Sequence, residues 1–260
     1  MPTAWSELAF PSQKPLTSWL RELQARLSYF GRWLSNGKPR AFWLPAFLNP
    51  HALLTVALYY ASITRHAPLE ALALQCDLGP PPPRVRAAVR ASHAAGALQP
   101  FAEHGRSDTD VGGGEAGASA GGEAGEGGAL DAAADDDDDT VLYVYGLYLE
   151  GARWDASRGH LAELPPRRLY APLPVLAMRP VQHRPSPADG AYVCPVYKTV
   201  ARADVPTSSG HVIPNFVTSI ELPAGPDDAQ PREPSLRHAS RALATRWTER
   251  GVAAFLSLPQ

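Results

Sequence analysis

Residues 140–155 read TVLYVYGLYLEGARWD. β-branched and aromatic side chains dominate the stretch, and Gly146 and Gly151 punctuate it, which favours short strands broken at glycine over a helix. The same grammar recurs in PLPVLAM (172–178), AYVCPVYKT (191–199), PNFVTSIELP (214–223) and GVAAFLSL (251–258), with Gly or Pro at nearly every boundary. Several short strands with no helix between most of them predict an antiparallel sheet or small β-barrel for residues 140–260. The Pro-, Asp- and Arg-rich run at 224–243 reads as a surface insertion before the last strand.

Upstream the period changes from two to that of a helix. Within 15–36, Leu16, Trp19, Leu20, Leu23, Leu27, Phe30, Trp33 and Leu34 recur at helical spacing, while Arg21, Glu22, Gln24, Arg26 and Arg32 fall between them. Pro15 suits the first turn and Gly37 the residue just past the end. Two tryptophans and six other large apolar side chains are more than one narrow stripe requires. Trp19 and Trp33 read as packing anchors. The segment AFWLPAFLNP (41–50) is too proline-broken for a helix, and its Asn49-Pro50 pair reads as an N-cap and first helical residue. The helix it starts runs to about Arg65, buries Leu53, Leu54, Ala57, Leu58 and Ala61, and stops before Pro68. Leu72, Leu74, Cys76 and Leu78 then alternate as a short strand.

Residues 80–139 have a different composition. An alanine-rich patch, with 84–98 expected as no more than a transient helix, passes into a Gly/Ala/Glu tract and a run of five aspartates at 135–139. Such a stretch buries too little apolar surface to offset the entropy of ordering it and is expected to be a disordered insertion, its aspartates a solvated charge run. The expected fold is therefore α+β: a helical part at 1–79, a low-complexity insertion at 80–139, and a small antiparallel β-barrel part at 140–260.

A formal net charge of -2 gives no basic field to draw nucleic acid or anionic lipid. No stretch approaches the roughly 20 apolar residues that span a bilayer. Two cysteines far apart, Cys76 and Cys194, argue against a disulfide framework and exclude cages of paired cysteines. The glycine tract at 112–128 lacks the Lys-Ser or Lys-Thr that closes a phosphate loop, and Lys198-Thr199 follows YVCPVY, which has no glycine. Cys194 with His211, oriented by Asp155 or Asp204, is the one nucleophile-and-base arrangement to weigh. A thiol inside a strand beside Pro195 fits a small buried hydrophobe better, and His211 fits a loop residue making one hydrogen bond. Tyr143, Tyr145, Tyr148 and Trp154 lack the surrounding cations of a base-stacking platform and are assigned to sheet core and rim. No catalytic, cofactor-binding or metal-ligating residue is assigned.

Several strings together resemble the C-terminal region of dynein heavy chains: WSELAFPSQKPLTSWLRELQARLSYFGRWLSNG, FWLPAFLNPHALLTVALYYA, VYGLYLEGARWD, CPVYKT, NFVTSIELP and RGVAAFL. They follow the family's order from Trp5 to the end. The resemblance implies a non-catalytic domain beneath a ring of six AAA+ modules, helical at first and ending in a small barrel. It would brace the ring and modulate the motor. ATP hydrolysis and the microtubule-binding stalk would belong to parts this chain lacks. The implied partners are the AAA+ ring and other dynein subunits, with microtubules reached only indirectly and neither nucleic acid nor membrane. The strings at 145–155 and 215–217 resemble the axonemal branch, which implies a cytoskeletal, ciliary or flagellar location. The runs at 80–139 and 224–243 are longer than the family's connections, and GHVIPNFV carries one residue more than the pattern. The abrupt start near the first long helix implies a fragment. The alternatives are a free-standing ciliary adaptor and an enzyme built on Cys194 and His211.

Overall fold

A computed structural model describes residues 14–94, 140–182, 191–206, 212–225 and 244–258 of the chain. The first helix, α1 (Leu16–Asn36), starts after Pro15 and ends at Gly37, whose φ of 81° suits glycine and whose N–H donates to the Trp33 carbonyl at 2.9 Å. Phe42–Trp43 form strand β1, and Pro45 then turns the backbone through a 3-10 turn, Leu44–Ala46. The next helix, α2 (Pro50–Arg65), carries the expected cap: the Asn49 side-chain oxygen accepts from the Ala52 N–H at 3.2 Å. It ends on His66 in the left-handed region, two residues before Pro68. Strand β2 (Leu72–Asp77) follows.

The alanine-rich patch differs from expectation. Helix α3 (Pro83–Ala94) is a packed element, and its Val85 and Val89, one turn apart, are buried with Ala25 and Tyr29 of α1, Trp43 and Tyr145. Two valines on one face suffice to dock a helix whose other residues are mostly Ala and Arg, so composition concealed its packing. The remainder of the expected insertion, residues 95–139, and residues 226–243 of the second one lie outside the described residues.

From Thr140 the backbone forms β3 (Leu142–Tyr145), β4 (Tyr148–Glu150), β5 (Arg153–Asp155), β6 (His160–Ala162), β7 (Tyr170–Pro172), β8 (Leu176–Gln182), β9 (Ala191–Thr199), β10 (Val205–Pro206), β11 (Val212–Ile213), β12 (Phe216–Pro223) and β13 (Ala253–Ser257). The first two of these strands, from the 140–155 stretch, lie in two different sheets. Gly146, at φ 94°, makes the break, because a Cβ there would lie 2.8 Å from both the Pro45 ring and the Trp43 indole. One sheet has the order β1-β3-β8-β2, so strands from both halves of the sequence share it, and the other has the order β12-β9-β13-β4-β7.

Two expectations are corrected here. The sheets are mixed, because β1 pairs with β3 and β13 with β9 in parallel. Nor does a barrel close: the larger sheet ends at β12 and β7, the smaller at β1 and β2. The α+β class itself is what the chain adopts.

Strand β13 lies at the centre of the larger sheet, between β9 and β4. Its AAFLS run is buried on both faces: Ala254 and Leu256 join the main core, while Ala253 and Phe255 pack with Tyr148, Tyr170 and Tyr197. A continuous apolar run rather than an alternating one is what such a central position demands. The main core draws Leu54 from α2, Val144 and Leu176 from one sheet, and Val196, Ile220 and Leu222 from the other. Full burial of each such aliphatic side chain stabilises the fold by roughly 1.5–3 kcal/mol.

Candidate functional site

Among the weighed catalytic residues, Cys194 lies on β9 and is wholly buried. Burial pushes its thiol up to about 12, so thiolate is scarce at neutral pH. Cys76, on β2, is likewise pushed up to about 12 by burial, and both cysteines are free. His211 lies outside the described residues. Asp204 accepts the Asn215 backbone N–H at 2.8 Å. Lys198 and Thr199 end strand β9, with their backbone N–H groups given to Asn215 at 2.8 and 2.9 Å. One amide is thus taken by the Asn215 carbonyl and the other by its side-chain oxygen. Among the described residues no group of three or more His, Cys, Asp or Glu is gathered as a metal cage, and no helix is long and apolar enough to cross a membrane.

Asp155 ends β5 and holds the turn that follows. Its carboxylate accepts from the Ser157 hydroxyl, the Ser157 N–H at 3.0 Å and the Arg158 N–H at 3.3 Å. The Ser157 hydroxyl bond foremost, then those amides and nearby Arg153, lower its pKa to about 2. A carboxylate depressed in the folded state contributes stability above its unfolded pKa that is lost as pH falls through the folded one. Acid titration monitored by fluorescence is therefore expected to show the advantage of wild type over Asp155→Asn shrinking between about pH 4 and pH 2. An advantage independent of pH in that window would show that the turn does not depend on the charge.

Tyr145 is buried against the ring of His93, with centroids 5.6 Å apart, and Tyr148 packs with Phe255. Tyr145 thus lies in the core and Tyr148 at its rim. Trp19 is buried, and Trp33 sits at the centre of an aromatic group with Tyr29, Phe30, Phe42 and Phe47.

Two polar assemblies escaped the sequence reading. On α1, Glu22 is 2% exposed and receives Lys14 Nζ at 3.2 Å and Arg26 Nη2 at 3.1 Å, while Arg26 donates to the Pro45 carbonyl through both Nε and Nη2. The i,i+4 spacing of Glu22 and Arg26 was visible, but such pairs are ordinarily solvated. The second is the clamp of Asn215 on Thr199 at the end of β9.

The helices also carry apolar side chains that no other described residue covers. On α1, Leu16, Leu20, Leu27 and Leu34 point outward and are exposed. On α2, Val56, Tyr59, Tyr60 and Ile63 form a second exposed apolar row at helical spacing, with Lys38 Nζ 6.0 Å from the Tyr60 ring centroid. Isolated exposed leucines are ordinary, but two helices each with an aligned outward row expose more apolar surface than scattered residues do.

The family profile for the C-terminal domain of dynein heavy chains matches residues 1–256. Dynein axonemal heavy chain 1 of Rattus norvegicus is 31% identical over 258 residues, which is 99% of this chain and 4% of that protein. Dynein axonemal heavy chain 12 of Homo sapiens is 29% identical over 258 residues, 99% of this chain and 6% of that protein. Dynein axonemal heavy chain 6 of Homo sapiens is 31% identical over 225 residues, 86% of this chain and 5% of that protein. The protein thus spans a small fraction of the length of these relatives. With the profile covering nearly every residue, and the strand, helix and turn strings falling in one fold, the chain belongs to the family of C-terminal domains of dynein heavy chains.

Proposed function

We propose that this domain is a non-catalytic structural and regulatory region that braces the AAA+ ring of an axonemal dynein heavy chain during ciliary movement. The observation that carries the reading is the pair of outward apolar rows on α1 and α2, a surface suited to being covered by the rest of a large polypeptide. Its partners are that ring and the other dynein subunits, it reaches microtubules only through them, and its location is the axoneme. The buried, protonated thiol of Cys194 favours this reading over a Cys/His enzyme.

The test is complementation. An axonemal-type heavy chain expressed without its matched region is mixed with the purified domain, and association, melting temperature and phosphate release are measured. The domain alone is expected to release no phosphate from ATP, and its addition is expected to raise the melting temperature of the truncated heavy chain. Failure to associate at micromolar concentration would remove the bracing role.

A further inference from the structure

We propose that the exposed side of α3 carrying Arg86 and Arg90 is a polyanion-binding face, and that its occupant is this chain's own aspartate run at 135–139. The contact is independent of the bracing role. Charge is segregated along the chain in a way its net value of -2 conceals. Residues 95–139 hold 12 of the 26 acidic residues but one of the 24 lysines and arginines, a formal charge of -11, which leaves +9 on the rest. A segment so charged is drawn to cations that are exposed and without a counter-charge.

Helix α3 supplies such cations. Its sequence, PRVRAAVRASHA, has three arginines and no acid. Arg86, Arg90 and His93 follow one another at steps of four and three, so they share one side of the helix, and all three are exposed. Among the described residues neither Arg86 nor Arg90 has an acidic partner. Arg86 moreover lies in the first turn, where the helix dipole disfavours a cation and favours an anion. The dipole accounts for His93 in the last turn, whereas an aspartate run along this side accounts for Arg86 as well.

Both ends of residues 95–139 lie near the row. One follows Ala94 directly, at the end of α3. The other meets Thr140, which is buried and whose hydroxyl accepts from Arg65 Nη2 at 2.8 Å. Tyr145 lies five residues on, or about 17 Å along the strand, and its ring centroid is 5.6 Å from that of His93. Five extended aspartates cover about 17 Å, which brings the run back to the row. A coil of the length of 95–134 spans about 35 Å, enough to close the path. Tethering of this kind gives an effective concentration on the order of millimolar, which offsets the weakness of exposed ion pairs. An acidic segment of another molecule then meets the row only by displacing the run.

The probe is a fluorescein-labelled poly-aspartate peptide, added to the full-length protein at low salt. Replacing all five aspartates, Asp135→Asn to Asp139→Asn, is expected to tighten peptide binding by at least about threefold, because the tethered competitor is gone. Arg86→Ala/Arg90→Ala in that background is expected to abolish the gain with an unchanged circular dichroism spectrum. The contact in cis is read directly from the Nε–H resonances of Arg86 and Arg90. These should differ between wild type and the five-fold variant at low salt and coincide in 1 M NaCl, where the Debye length is about 3 Å. Equal peptide affinity of the two proteins, or resonances that coincide at low salt, would overturn the proposal. A gain that survives R86A/R90A would put the run on other cations and overturn it too. A wild-type dimer in sedimentation that the five-fold variant dissolves would give the run to a second copy, and that also overturns the contact in cis.

Discussion

Replacing Glu22 by alanine is expected to destabilise the domain by about 3–5 kcal/mol, the range for removing one member of a buried ion pair. The reason lies less in the lost attraction than in what stays behind. Arg26 is nearly buried, with Nε 3.2 Å and Nη2 2.9 Å from the Pro45 carbonyl, and burial already works against its charge, lowering its pKa while Glu22 offsets the shift. Without the carboxylate the guanidinium loses the counter-charge that offsets its burial, and solvent must be drawn in to replace it. Lys14, whose Nζ lies 3.2 Å from Glu22 and whose side chain is also largely buried, would lose the same counter-charge. Glu22→Gln, which preserves shape and acceptor oxygen, should lose less than Glu22→Ala. Replacing Glu22 and Arg26 together by apolar residues should recover only part of the loss, because the Pro45 carbonyl then loses its donor. Urea unfolding should show a lower midpoint at constant slope. A loss under about 1 kcal/mol for Glu22→Ala would mean that the pair behaves as a solvated surface bridge.

That network shows where sequence reading ran out. Periodicity placed α1 and α2 almost to the residue, because each has a strong apolar row and clear punctuation: Pro15 and Gly37 for one, Asn49-Pro50 and the approach to Pro68 for the other. The strands β9, β12 and β13 were legible for the same local reasons. Pairing partners were not, since the parallel contacts of β1 with β3 and β13 with β9 join residues far apart in sequence. Nor was the helix α3, where two valines among alanines carry the packing. For the outward rows, composition announced that α1 had more apolar side chains than one stripe needs. Which of them face outward depends on the fold, and the fold turns the aromatic and charged side inward and the leucines out.

Removing the Asn215 side chain is expected to cost about 1–3 kcal/mol, from the buried Thr199 N–H left without its acceptor, while the Thr199 carbonyl keeps the Arg202 N–H at 3.3 Å. The register between β9 and β12 slips here: Phe216 faces Tyr197 but Thr218 faces Val196, so Val217 is extra. A bulge of this kind leaves ladder groups unpaired, and the protein satisfies them with side chains. His51 Nδ1 of α2 donates to the Val217 carbonyl at 3.2 Å, which ties the bulge to the helix that carries the second outward row. Asn215, 2% exposed, accepts the Thr199 N–H at 2.9 Å through Oδ1 and donates to the Thr199 carbonyl at 3.3 Å through Nδ2, standing in for the next rung of the ladder. Alanine at 215 can do neither, although its own N–H would still reach Asp204. Besides the lower urea midpoint, amide exchange at Thr199 should accelerate while Val196, deep in the ladder and beside β13, retains its protection up to the global unfolding limit. Equal acceleration at both amides would mean that Asn215 contributes to global packing and that the end of β9 has no separate clamp.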